Sequence, residues 1–129
     1  MTCEELRQVM VDDENWRITA HIKPVDPRDT YDYDRARIPF ADNIPNVLDS
    51  VSAVRARQNQ IKILPRDSIL VFFDDGDGAL AVDLAQQLVA LNPELEAAGY
   101  GFNLDNIRIL EGGLDRWLEL GYPTSNAEA

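Results

Sequence analysis

Ser68-Ile69-Leu70-Val71-Phe72-Phe73-Asp74-Asp75-Gly76-Asp77-Gly78 joins an apolar run to a turn holding three aspartates and two glycines. Five apolar residues in a row, β-branched or aromatic in the main, predict a short strand buried on both faces, as in a parallel sheet. Leu80, Leu84, Leu88 and Leu91 then recur at helical spacing, and Asn92-Pro93 is expected to stop that helix. Residues 93–103 read as a loop with a helical turn. Asn106 to Leu110 reads as another short strand. Gly112-Gly113 opens a last helix with Leu114, Trp117, Leu118 and Leu120 on its buried side, and Gly121-Tyr122-Pro123 ends it. The tail, 124–129, is expected to fray.

Upstream of the run, Asn46 is placed to cap a helix in which Val47, Leu48, Val51 and Val54 keep the helical period. The stretch 26–45 is rich in Asp, Arg, Tyr and Pro and reads as an irregular connection with one short helix. Arg17 to Ile22 alternates, with Ile18, Ala20 and Ile22 on one side, which predicts a strand that Pro24 and Pro27 end. Thr2 caps a first helix, and Glu5 three residues on completes a capping box. Strands alternating with helices give an α/β class, about five mostly parallel strands with helices on both faces.

The chain has 129 residues and 45% hydrophobic composition, which fits one domain over 1–129 able to bury a core. No apolar run approaches the ~18 residues that span a bilayer, and acids stand where a signal peptide would carry a positive charge. A soluble cytoplasmic protein without membrane insertion is therefore expected. Formal net charge is −11, from 23 acids against 12 bases. That balance disfavours nucleic acid, which needs concentrated Lys and Arg, and points to solubility or to a protein partner with a basic surface. No cofactor motif is present. The sole cysteine, Cys3, excludes an internal disulfide; it lies beside Glu4 and Glu5, which oppose a reactive thiolate.

Three segments, in order, resemble the rhodanese (sulfurtransferase) family. Val25-Asp26-Pro27-Arg28 resembles its Asp-Val-Arg signature. Ala36-Arg37-Ile38-Pro39-Phe40-Ala41-Asp42-Asn43-Ile44-Pro45 resembles its Gly-His-Ile-Pro-Gly-Ala-x-Asn-Ile-Pro segment, with Arg37 for His and Phe40 for Gly. Leu110-Glu111-Gly112-Gly113 with Trp117 and Gly121-Tyr122-Pro123 resembles its closing Leu-Glu-Gly-Gly-x-x-x-Trp and Gly-x-Pro. Residues 92–103 make a longer passage than many members have. The resemblance implies a three-layer α/β sandwich. It also implies that the strand over 69–73 leads into the loop that, in active members, carries a cysteine and arginines. There, backbone N–H groups at a helix N-terminus form a cup that lowers a thiol pKa and holds an oxyanion.

Here the cup is written Asp74, Asp75, Gly76, Asp77, Gly78 and Ala79. Matching Gly76 to the family's loop glycine puts Phe73 at the cysteine position; sliding by one puts Asp74 there, which is slightly preferred. Neither supplies a nucleophile, and the loop holds no arginine. Two like charges ~4 Å apart near a surface repel by about 4 kcal/mol, which opposes a bound anion. The implied function is a non-catalytic interaction or regulatory module. The alternatives are a sulfur-trafficking component that needs a partner's cysteine, and a divalent-cation loop at Asp74, Asp75 and Asp77. The EF-hand pattern fails, because Gln86 stands where a bidentate Glu is required. The aspartates also suit a self-liganded loop, since a carboxylate can take the N–H bonds that an anion would otherwise take. Tyr31, Tyr33, Arg35 and Arg37, with Arg116 and the 92–103 passage, are further candidate recognition residues, because Tyr and Arg are favoured at interfaces. His21 is read as structural, and Trp16 and Trp117 as core anchors.

Overall fold

A computed structural model describes residues 1–12, 22–47 and 50–126. In chain order the elements are α1 (Cys3–Asp12), β1 (Ile22–Asp26), α2 (Thr30–Arg35), β2 (Asp42–Asn43), α3 (Val51–Lys62), β3 (Ile69–Phe72) and α4 (Ala79–Ala97). A 3₁₀ turn (Leu104–Asn106), β4 (Ile107–Ile109) and α5 (Gly113–Glu119) follow. The four strands among the described residues pair in parallel in the order β2-β1-β3-β4, one fewer than the expected five.

β3 lies between β1 and β4, so both its edges are paired, and the apolar side chains on both its faces must be covered. Its alternation divides them. Leu70 and Phe72 join Ile61 of α3 and Leu84 and Leu88 of α4 in one apolar cluster. Val71 and Phe73 join Leu6 of α1 and Leu114 and Trp117 of α5 in the other. The result is helix, sheet and helix in three layers, as the unbroken apolar run requires. At the front, Thr2 Oγ1 accepts from Glu5 N and Glu5 Oε1 accepts from Thr2 N, both at 3.1 Å, which closes the capping box.

Several local expectations are corrected. Of the expected strand over 17–22, only Ile22 is described; Trp16, Ile18, Ala20 and His21 lie outside the described residues, as does Leu48. Pro24 does not end the strand but sits within β1. β2 pairs only with Val25 and Asp26, so at Pro24 the sheet has a neighbour on the β3 side alone, and a missing N–H is tolerated there. α3 begins at Val51, capped by Ser50, whose Oγ accepts from Ala53 N at 3.2 Å. Asn46 instead bonds α4, through Asp83 at 2.8 Å and Gln87 at 2.9 Å. Val47 and Val51 are exposed, not core.

α4 runs through Pro93 to Ala97. The carbonyl that loses its partner belongs to Val89, a residue on the exposed side, where water can serve it. The stop comes at Gly99, with φ +89°. Tyr100 N donates to Leu95 O at 2.8 Å and Gly99 N to Glu96 O at 3.0 Å, the paired bonds of a Schellman ending. Asn92 is buried; its Oδ1 accepts from Phe102 N at 2.7 Å and its Nδ2 donates to Phe102 O at 3.2 Å. The side chain thus acts as a strand partner for the returning backbone, holding the 98–103 passage on the helix. The tail is not free from residue 124, since Arg37 and Ser125 exchange backbone bonds at 3.0 and 2.9 Å.

Phe40, where the resembled family pattern has Gly, holds φ +68°, a left-handed conformation that costs a non-glycine residue about 1–3 kcal/mol. Glycine relieves that strain but adds unfolded-chain entropy. Phe40→Gly is therefore expected to raise stability by about 1 kcal/mol, or ~3–5 °C in Tm by calorimetry. An unchanged or lower Tm would show that the Phe40 side chain outweighs its backbone.

Candidate functional site

The strand-to-helix junction after β3 makes the cup. Phe73 ends the apolar run, fully buried, and the chain turns at Asp74, which is 3% exposed. Asp74 Oδ1 accepts from Gly76 N and Gly78 N, both at 3.0 Å, and Oδ2 accepts from Ala81 N at 3.1 Å. Ala81 is the third residue of α4, the donor that an N-cap side chain normally serves. Gly78 occupies the cap position with φ +83° and has no side chain to offer, so Asp74 caps the helix from four residues upstream. Three N–H groups aimed at one point make an anion site; here the anion is the chain's own carboxylate. Asp77 Oδ1 accepts from Ala79 N at 2.9 Å.

A second helix end braces the loop from behind. Leu114 N donates to Asp74 O at 2.8 Å and Asp115 N to Asp75 O at 2.7 Å. The approach needs Gly113: a Cβ there would stand 2.5 Å from Asp74 O. Cys3 lies on the other side of this pair of glycines, buried, with Sγ 3.6 Å from the carbonyls of Glu111 and Gly113. Those carbonyls accept from a protonated thiol. Burial, and then Glu4, push the thiol pKa up, so Cys3 has the surroundings of an inert thiol.

Arg28 ties the loop to the end of β1. Its Nε bonds Asp26 Oδ1 and Oδ2 at 3.0 and 3.1 Å, and Nη2 bonds Asp26 Oδ2 at 2.8 Å and Ala36 O at 2.6 Å. Nη1 reaches Asp75 Oδ1 at 3.1 Å. Both members of the Asp26–Arg28 pair are buried. Burial pushes the Asp26 carboxyl up, and the bonds from Arg28 pull it back. Burial lowers the Arg28 guanidinium, but its bonds to Asp26 and Asp75 outweigh that and leave it raised. This pair was missed as a site from the sequence. Its signal was an acid and an arginine two residues apart at a strand end, which does not reveal that both are buried.

The three loop aspartates do not converge. Asp74 is saturated by N–H groups, Asp75 turns to Arg28 and Asp77 to its own turn. Among the described residues, no group of three or more His, Cys, Asp and Glu is arranged to hold a metal ion. Tyr33 and Arg37 are tied inward: Tyr33 Oη donates to Ala41 O at 2.7 Å, and Arg37 sits 4.2 Å over the Tyr33 ring and donates to Tyr33 O at 3.2 Å. Tyr31 and Arg35 stack on each other at 5.5 Å, with Tyr31 71% exposed. Arg35 borders a shallow pocket of about 250 Å³ whose wall carries Asp32, Asp75, Asp115 and Leu118. Arg116 lies on the surface between Glu4 at 3.7 Å and Glu119 at 3.2 Å.

A family model described as the Rhodanese-like domain matches residues 2–120. Among solved structures, the chain is similar to a rhodanese-related protein from Thermoplasma volcanium (22% identity, 97% of this chain and 95% of that one, TM-score 0.60). It is also similar to a rhodanese-like domain protein from Staphylococcus aureus (20% identity, 91% and 88%, TM-score 0.55). A third is the As-Sb reductase from Leishmania major (17% identity, 93% and 76%, TM-score 0.64). Identities this low speak for the fold alone. No curated protein matches the chain. No described helix is long and apolar enough to cross a membrane.

Proposed function

We propose that this chain, which belongs to the rhodanese-like domain family, transfers no sulfur and works as a protein-interaction or regulatory module. The observation that supports this reading is the Asp74 carboxylate accepting three backbone N–H bonds inside the cup. In this reading Asp74, not Phe73, stands at the family's cysteine position, because Phe73 is committed to the core. A carboxylate there is no carrier of transferable sulfur, and it occupies the donors a thiosulfate or a partner's persulfide would need. A partner's cysteine therefore meets a closed cup, and a cation meets carboxylates already engaged. The pocket beside the cup is lined by Asp32, Asp75 and Asp115 with Arg28 and Arg35; because Arg28 already holds Asp75, Asp32 and Asp115 are the carboxylates that a basic group on a partner would meet.

The purified protein is expected to make no thiocyanate from thiosulfate and cyanide and no phosphate from an aryl phosphate ester. Asp74→Cys is expected to place a thiol in the amide cup with a pKa below the ordinary ~8.5, so that iodoacetamide alkylates it at neutral pH well before Cys3. Thiocyanate turnover by the unaltered chain, or a residue-74 thiol no more reactive than Cys3, would count against this reading.

A further inference from the structure

We infer that the groove between the C-terminal ends of α3 and α4 is a docking site for an acidic peptide segment that carries a large apolar side chain. The groove has a volume of about 710 Å³ and lies away from the cup. It is lined by Leu95, Ala98, Gly99 and Tyr100 and by the charged side chains of Lys62, Arg66 and Glu94. Tyr100 is 64% exposed, thrown outward by the Gly99 turn.

Charge decides the occupant. Residues 50–66 hold Arg55, Arg57, Lys62 and Arg66, four of the chain's 12 bases, and none of its 23 acids. Of these only Lys62 and Arg66 line the groove, Arg57 being buried against Gln87, so two bases face one acid, Glu94, there on an otherwise strongly acidic molecule. Arg66 is fixed in advance. It lies 3.8 Å over the Phe102 ring, its Nε donates to Tyr100 O at 2.7 Å and its Nη1 to Leu64 O at 2.6 Å. Nη2 has no hydrogen-bond partner among the described residues, and neither has Lys62. An arginine held by three fixed groups loses little entropy when it takes a carboxylate, which is the arrangement that favours binding. The ligand's carboxylates pair with Lys62 and Arg66 and are repelled by Glu94, and its apolar side chain takes the lining of Leu95 and Tyr100. An anionic membrane is disfavoured as the occupant, because the site is concave and the whole molecule carries −11. The groove shares no lining residue with the pocket beside the cup, so it is a second surface and does not depend on the reading of that cup.

The probe is a fluorescein-labelled hexapeptide of alternating glutamate and phenylalanine, followed by anisotropy, with the full chain. The expected result is saturable binding that weakens about two- to threefold between 50 and 300 mM salt, as screening of roughly two surface ion contacts implies. Lys62→Glu, a surface change that leaves the core untouched, is expected to weaken it at least tenfold more. Amide shifts are expected at 62–66 and 94–100. Equal binding by the lysine-phenylalanine peptide, indifference to Lys62→Glu, or no binding overturns the proposal. So does sedimentation of the protein with phosphatidylglycerol vesicles that Lys62→Glu abolishes while the peptide goes unbound.

Discussion

Arg28→Ala is expected to destabilise the fold by about 3–5 kcal/mol, the range seen when one member of a buried ion pair is removed. Asp26 is fully buried, and Arg28 supplies its three side-chain bonds from nitrogen as well as one from the backbone N–H of residue 28. The alanine variant keeps only the backbone bond and leaves a carboxylate without its counter-charge. It also frees Ala36 O and Asp75. Burial already holds the Asp26 carboxyl above its ordinary value, and removal of Arg28 drives it higher. A carboxyl whose folded-state pKa exceeds its unfolded value favours the folded state below the unfolded value, and that contribution is lost as pH rises through the folded value. The deficit of Arg28→Ala measured by urea unfolding should therefore shrink as pH falls from 7 toward ~4. A deficit below about 1 kcal/mol, or one that grows in acid, would show that the pair is not what holds the end of β1.

Asp74→Ala is expected to cost about 3–5 kcal/mol. Three backbone N–H groups lose their acceptor, each unsatisfied buried donor costing about 1–3 kcal/mol, with water recovering part at Gly76 and Gly78, which are less enclosed than Ala81. Against a total stability of about 5–15 kcal/mol this is a large fraction. The vacated cup gives a sharper readout than stability. Formate, a carboxylate small enough to stand where the side chain stood, should raise the Tm of Asp74→Ala in a concentration-dependent way and leave the unaltered protein unmoved. Equal response in both proteins would mean that the cup is not an anion site, and the account of Asp74 would fail with it.

The three layers were legible in the sequence because they depend on period. The apolar run over 69–73, the leucines of α4 and the Gly-Gly opening of α5 each carry a local rule that tertiary packing did not override. Proline was misleading twice. Pro24 reads as a terminator until the sheet leaves it a neighbour on one side only, and Pro93 reads as one until the carbonyl it deprives proves to face water. The loop of the candidate site was legible, but the direction of its carboxylates was not. Asp74, Asp75 and Asp77 are alike as letters and differ in what they meet: amides, a guanidinium and a local turn. The Asp26–Arg28 pair was not legible as a site because burial of both partners comes from elements distant in sequence.

β3 also works as a ruler. Because odd and even positions from Leu70 to Phe73 serve opposite cores, deleting or inserting one residue there would exchange both sets of neighbours in a single step. At the strand's mouth an insertion would bring the benzyl group of Phe73 to the amides, and a deletion would carry the Asp74 carboxylate into oil. Drift in this lineage can thus exchange one hydrophobe for another along the strand far more easily than it can change the strand's length, and the occupant of the cup is inherited through counting as much as through chemistry.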